Sequence, residues 1–220
     1  PMNAIIGFSG LLNMPDLTEQ ERQSFIKIII QRGGDLLNII DDILDISRIE
    51  SGQLSISEAV TDLNELFEEI QQIYHHSEQF KAQKEIDLIP HNALPVQIKE
   101  VVIDKNRIKQ ILLNLIGNAY KFTEKGSIEY GCGLRDKELL FYVKDTGIGI
   151  PKNKLSMIFE RFRQVNESYL NNTKGGAGLG LSICKGLIDL MGGNITVESE
   201  EGSGSVFRFS IPFKDPDSFN

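Results

Sequence analysis

The chain has 220 residues, 40% of them hydrophobic and 25% charged, a globular composition sized for one or two domains that excludes a disordered tail, a fibrous repeat or a disulfide scaffold. Its apolar runs, such as residues 28–30 and 111–113, are far short of the roughly 18 residues that cross a bilayer, so no membrane contact is expected, and the opening Pro1-Met2-Asn3-Ala4 lacks the basic start of a signal peptide. The net charge of −8 argues against nucleic acid as a partner, and any anionic ligand needs a local exception.

In chain order, a short apolar segment over residues 2–12 ends in the turn signal Asn13-Met14-Pro15-Asp16. Thr18 and Glu21 are spaced to satisfy each other's backbone donors at the start of a helix. Along that helix Phe25, Ile29, Leu36, Ile39, Ile43 and Ile46 lie on one seam, and Leu37, Ile40 and Leu44 widen it. The short first segment cannot cover so wide a stripe. A dimeric bundle of four helices, two from each chain, is therefore predicted, against the alternative of a helix packed inside a monomer. Gly33-Gly34 costs about 1 kcal/mol per glycine and predicts a bend or a close packing partner. Ser51-Gly52 ends the helix and divides the chain into residues 1–51 and 52–215.

Beyond that boundary short strands alternate with helices. Strands are predicted near residues 54–57, 86–89 and 97–103, and helices over 63–80 and 105–122, the latter capped by Asp104. Residues 127–134 and 138–144 form a hairpin around Arg135-Asp136-Lys137, and residues 194–199 and 205–212 form a closing pair. Between the pairs, residues 164–176 are polar and aperiodic, as in a functional lid. The fold class is α+β, a helical hairpin followed by an α/β sandwich. Cys132 and Cys184 show neither metal nor redox spacing and fit a reducing cytoplasm.

Three motifs carry chemistry. Asp145-Thr146-Gly147-Ile148-Gly149-Ile150 is either a tight turn or a strand-end carboxylate whose glycines let a ligand approach the backbone. Gly175-Gly176-Ala177-Gly178-Leu179-Gly180 opens an apolar helix, where glycines serve as a hinge or expose backbone N–H groups to a phosphate. It is neither a P-loop nor a Rossmann turn, since no Gly-Lys-Ser/Thr follows and no strand precedes it. Asn114, Asn118, Lys121 and Phe122 fall on one face of a helix, either solvated or converging on a ligand, and an amide oxygen there suits Mg²⁺.

Taken in order, these motifs resemble the histidine kinase family. Residues 114–123 (Asn-Leu-Ile-Gly-Asn-Ala-Tyr-Lys-Phe-Thr) are similar to its N box, Asp145 to Gly149 to its G1 box, and Ile158-Phe159-Glu160-Arg161-Phe162 to its F box. Gly176 to Gly180 resemble its G2 box and Gly202-Ser203-Gly204-Ser205 its last glycine box. The opening Pro1-Met2-Asn3-Ala4-Ile5-Ile6-Gly7-Phe8-Ser9 and the helix ending Ile43-Leu44-Asp45-Ile46-Ser47-Arg48-Ile49-Glu50 resemble the family's dimerisation and phosphotransfer segment.

The resemblance implies a GHKL-type ATP-binding domain with ATP and Mg²⁺ as cofactors. It gives Asn118 as the metal ligand, Lys121 as a phosphate contact and Phe122 as a wall for the adenine ring. Asp145 would accept from the adenine amine, with Gly147, Gly149 and Ile150 along the base. Gly176, Gly178, Leu179 and Gly180 would wrap the phosphates, with Arg161, Arg163 and Lys174 as further cations. Asn114, grouped with Asn118 and Lys121 as catalytic, stands where gyrase-like and chaperone-like relatives carry a water-activating glutamate, and an amide cannot act as a general base. Ala177 replaces a frequent threonine or serine, leaving only backbone donors there. The implied activity is transfer of the γ-phosphate to a histidine and onward to the aspartate of a response-regulator receiver domain, by a homodimer in the cytoplasm whose parent is anchored to the membrane. The family's His-Glu-x-x-Thr-Pro segment would end at Pro1, so the phosphoacceptor is expected upstream of this chain. His75 and His76 on a helix and His91 in a loop are read as surface or packing residues. The alternatives are a catalytically silent nucleotide-binding scaffold and a gyrase-like ATPase.

Overall fold

The computed structural model describes residues 1–76, 85–95, 98–163 and 177–216, and the chain separates into two compact units, Pro1–Ser51 and Gly52–Asn220. In the first, α1 (Met2–Leu11) pairs with α2 (Glu19–Glu50). The predicted capping box forms: the Glu21 N–H donates to Thr18 Oγ1 at 3.3 Å and the Thr18 N–H to Glu21 Oε2 at 2.9 Å. Phe8 and Phe25 meet across the hairpin with centroids 5.4 Å apart. No residue of α1 or α2 is fully buried. Leu37 is 64% and Ile30 69% exposed, and Ile40, Ile43 and Leu44 remain in the open with them. At Gly33 and Gly34 a Cβ would meet nothing within 4 Å and α2 runs unbroken through them, so within one chain the glycines have no packing partner.

The second unit contains β1 (Ala59–Asp62), α3 (Leu63–His76), β2 (Ile86–Ala93), β3 (Glu100–Ile103), α4 (Lys105–Phe122), β4 (Gly126–Arg135), β5 (Glu138–Asp145), a 3₁₀ turn (Lys152–Lys154), α5 (Gly180–Leu190), β6 (Asn194–Glu200) and β7 (Gly204–Pro212). A five-stranded sheet runs in the order β2-β4-β5-β7-β6, and β1 pairs with β3 apart from it. β2 is parallel to β4 and every other ladder is antiparallel. One face of the sheet, with Ile128, Tyr130, Phe141, Val143, Phe207 and Phe209, is buried. α4 contributes Ile108, Ile111, Leu112, Leu115, Ile116 and Ala119 to that core, and α5 contributes Ile183, Cys184, Leu187 and Ile188. Phe141 stacks on Phe209 at 4.8 Å, and Phe67 of α3 meets the edge of Tyr130 at 5.3 Å. The hairpin around Asp136 and Lys137 closes with both residues at positive φ, 51° and 66°, the conformation that matches strand twist in two-residue turns.

Two strand expectations shift, and the second moves His91 with it. The first strand of this unit is Ala59–Asp62 instead of residues 54–57, because the Ser57 N–H donates to Asp104 Oδ2 at 2.8 Å and the segment before the strand is tied to a helix cap. β2 does not stop at Ile89. It continues through Pro90 to Ala93, which a proline permits on an edge strand with no neighbour on that side. His91 is consequently on a strand and not in a loop, with Nδ1 3.1 Å from the Tyr142 hydroxyl. The predicted helix over 63–80 is described to His76, and its remainder lies outside the described residues.

Candidate functional site

The site is built on α4. Asp104 caps it by accepting the Arg107 N–H at 3.1 Å, and its apolar stripe is consumed by the core, which leaves Asn114, Asn118 and Lys121 half-buried along one flank. At the C-terminal end the Phe122 carbonyl accepts the Ile148 N–H at 3.2 Å, and a Cβ on Gly147 would come 2.5 Å from that oxygen. Two turns back, at the middle of α4, a Cβ on Gly180 would lie 3.4 Å from Asn114 Oδ1. The loop after β5 therefore flanks the C-terminal end of α4 and the first turn of α5 flanks its middle. Asn114 and Phe122 are separated by roughly 12 Å along the axis at 1.5 Å per residue.

Asp145 ends β5 on the sheet's inner face and is 7% exposed. Burial pushes its carboxyl above the ordinary carboxylate value, opposed by the backbone N–H groups of Gly147 and Ser205. The Gly147 N–H reaches Oδ1 at 2.8 Å. Two such donors do not fill the lone-pair sites of a carboxylate, so an acceptor is left for a ligand N–H. The loop that follows has no room for a side chain at its two glycines. Gly149 has φ of +68°, and a Cβ there would run into the Glu200 carbonyl, while Gly204, at +91°, faces the Asp145 carbonyl in the same way. The backbone of residues 147–149 is thus an approachable surface beside a buried acceptor.

Beside Asn114, α5 begins after Leu179 with no side-chain cap, so the helix dipole and the first N–H groups are available to an anion. The Leu179 side chain is buried in the core, so only its backbone can serve a ligand. Gly178 has φ of +71° and its carbonyl accepts the Phe162 N–H at 3.0 Å. Phe162 has φ of 59° and is 68% exposed, an unusual backbone for a non-glycine residue that is held by this bond. Arg161 is exposed, and Arg163 pairs with Glu160 at 3.1 Å. Lys121 Nζ stands 5.0 Å from the Phe122 ring centroid, and Phe122 is partly open to solvent. Lys174, Gly176 and the predicted lid lie outside the described residues. Among the described residues no group of three or more His, Cys, Asp or Glu could hold a metal. The Asn118 amide remains, which fits a hard cation that takes one protein oxygen and completes its shell with phosphates and water.

Two family models match the chain in tandem. Residues 1–52 match the His Kinase A (phospho-acceptor) domain, and residues 103–215 match the histidine kinase-, DNA gyrase B- and HSP90-like ATPase. A hybrid signal transduction histidine kinase L of Dictyostelium discoideum is 39% identical over 97% of this chain, which spans 12% of that protein's length. Among solved structures, full-length ShkA in complex with AMPPNP superposes with a TM-score of 0.73 at 31% identity over 97% of this chain and 43% of its own. The histidine kinase ThkA in complex with the response regulator protein TrrA gives a TM-score of 0.72 at 27% identity over 99% of this chain and 59% of its own. No described helix is long and apolar enough to cross a membrane.

Proposed function

The chain belongs to the histidine kinase family, as a phospho-acceptor-type helical domain joined to an ATPase-type domain, and on that premise we propose that it binds Mg-ATP and delivers the γ-phosphate to a histidine for relay to a response-regulator aspartate. The observation that carries this reading is the arrangement along α4. A buried carboxylate with a glycine-containing loop stands by the C-terminal end, and an uncapped helix N-terminus stands by the half-buried amide of Asn114 two turns back. In this reading the first reads the base and the second holds phosphate.

In this reading Asp145 accepts from the exocyclic amine of adenine, which guanine replaces with a carbonyl acceptor, so the pocket selects adenine by repelling the alternative. Phe122 walls the base, and Gly147, Gly149 and Ile150 let the backbone lie against it. Asn118 holds Mg²⁺, which when bound neutralises phosphate charge. Lys121, Arg161, Lys174 and the backbone of Gly176, Gly178, Leu179 and Gly180 take the phosphates. In this reading Asn114 stands in for the water-activating glutamate of gyrase-like ATPases, and its amide cannot take a proton at neutral pH. The γ-phosphate is therefore kept for a neutral imidazole nitrogen, which attacks phosphorus as the β–γ bridging P–O bond breaks and ADP leaves, positioning and charge neutralisation supplying the rate.

The exposed seam of α2 supports a homodimer through the N-terminal helices. The ThkA–TrrA complex supports docking of a receiver domain on such a chain. A version extended upstream of Pro1 to include the family's histidine segment should acquire acid-labile, base-stable phosphate from γ-labelled ATP and pass it to a receiver domain. No label, with ADP still bound, overturns the reading.

A further inference from the structure

The loop that follows Asp145 is held by ties from backbone and side chains, among them the Ser127 N–H, which donates to Thr146 Oγ1 at 3.0 Å. The Thr146 N–H donates to the Ser127 carbonyl at 3.2 Å, the Ile148 N–H to that of Phe122 at 3.2 Å, and the Ile148 carbonyl accepts the Gly202 N–H at 2.7 Å. The Gly147 N–H turns back on Asp145 itself. The Ile150 N–H alone among these goes to a side chain outside the loop, Ser199 Oγ of β6, at 2.7 Å.

Ser199 Oγ also lies 2.8 Å from the Gly204 carbonyl and 2.9 Å from Ser205 Oγ. A hydroxyl has one proton, and a carbonyl can only accept. The Ser199 proton is therefore committed to Gly204, so the Ser205 hydroxyl must donate to Ser199. Ser199 Oγ then donates once and accepts twice, which exhausts it. The same count fixes Ser205 as a donor to Ser199, with its lone pairs facing elsewhere. Ser205 is the residue paired with Asp145 across β5 and β7, it is 6% exposed, and its N–H is one of the two groups holding the Asp145 carboxylate.

We infer that Ser199 is a positioning residue for the base-reading end of the nucleotide site: one hydroxyl locks Ile150 at the far end of the loop and orders Gly204 and Ser205 against Asp145. This rests on the nucleotide reading above. Ser199 is half-buried near the end of the edge strand β6, turned inward between the exposed Glu198 and Glu200. Its removal strands the Ile150 N–H and frees the Ser205 hydroxyl to rotate, a loss that falls on the loop and not on the phosphate end.

The test uses the 220-residue chain and calorimetric titration with ADP, GDP and ATP in the presence of Mg²⁺. Ser199→Ala should weaken ADP about tenfold and shrink the ADP-over-GDP preference, while the ATP-to-ADP affinity ratio stays at the wild-type value. Ser199→Thr, which keeps the hydroxyl, should restore both. Unchanged ADP affinity and base preference in Ser199→Ala overturn the inference, as does a threonine variant that behaves like the alanine one. An equal loss of ADP and GDP together with a lowered Tm also overturns it, because that is the mark of a merely structural serine. A wild-type chain that binds no adenine nucleotide would instead overturn the nucleotide reading itself, so the two failures are distinguishable.

Discussion

The two units of this chain solve the burial problem differently. In the α/β unit the sheet, α3, α4 and α5 close on each other, and Tyr130, Phe141 and Phe209 are fully buried within one polypeptide. In the helical unit no residue of either helix is buried, although an apolar seam runs along α2. The difference lies in the number of apolar faces available. Three helices and a sheet enclose a core, whereas the seam of α2 stays exposed beside α1. The α/β unit is closed within one polypeptide, and the proposed dimer would cover the seam of the helical one.

This contrast can be broken by mutation, the largest effect first. Phe141→Ala removes a stacked ring from the closed core and should cost about 3–5 kcal/mol, seen as a lowered Tm in scanning calorimetry, while light scattering still reports a dimer at low temperature. Leu37→Asp, on the exposed seam, enters a symmetric interface twice and should weaken dimerisation by about a hundredfold or more, with the Kd for ADP unchanged. A dimer that survives Leu37→Asp would mean that α2 does not carry the interface.

Asp145→Asn should cost about ten- to a hundredfold in ADP affinity without altering the oligomeric state. It also has a pH signature. Burial raises the Asp145 carboxyl above its ordinary 3.8, so the folded chain binds that proton more tightly than the unfolded one. The wild type therefore loses stability as pH rises from the unfolded value through the raised native value, and levels off above it. The asparagine variant lacks this decline, so its Tm relative to wild type should climb over that window, and a constant difference would show that the carboxylate is not strained by burial. Smallest of all, Thr18→Ala removes the capping box of α2 and should cost about 1 kcal/mol, confined to the helical unit and visible as a lower melting point in circular dichroism.

Much of the site was legible because its chemistry is local. The Asp145 loop, the glycines before α5 and the polar flank of α4 each follow from residue type at short spacing, and their order along the chain carries the family resemblance. The capping pair Thr18 and Glu21 and the Asp136-Lys137 turn were readable for the same reason. What escaped was set by distant partners. The strand at Ala59–Asp62 was misplaced because Asp104, far along the chain, takes the Ser57 N–H. β2 was cut short at Pro90 because no local pattern says that its open edge tolerates a proline. Ser199 gave no sign at all, since a serine at a strand end acquires meaning only when Ile150, Gly204 and Ser205 arrive around it.

The sequence by itself determined the two-unit plan, the amphipathic α2 and the family, and it supplied the residues proposed for the candidate site, because these depend on periodicity and short-range spacing. The tertiary structure decided that β2 lies parallel to β4, that Asp145 is buried, which raises its carboxyl above the ordinary value, and that one hydroxyl ties the loop after Asp145 to the last hairpin. Those properties depend on which distant backbones approach closely enough to exclude water or share a proton, and only the closed fold fixes that.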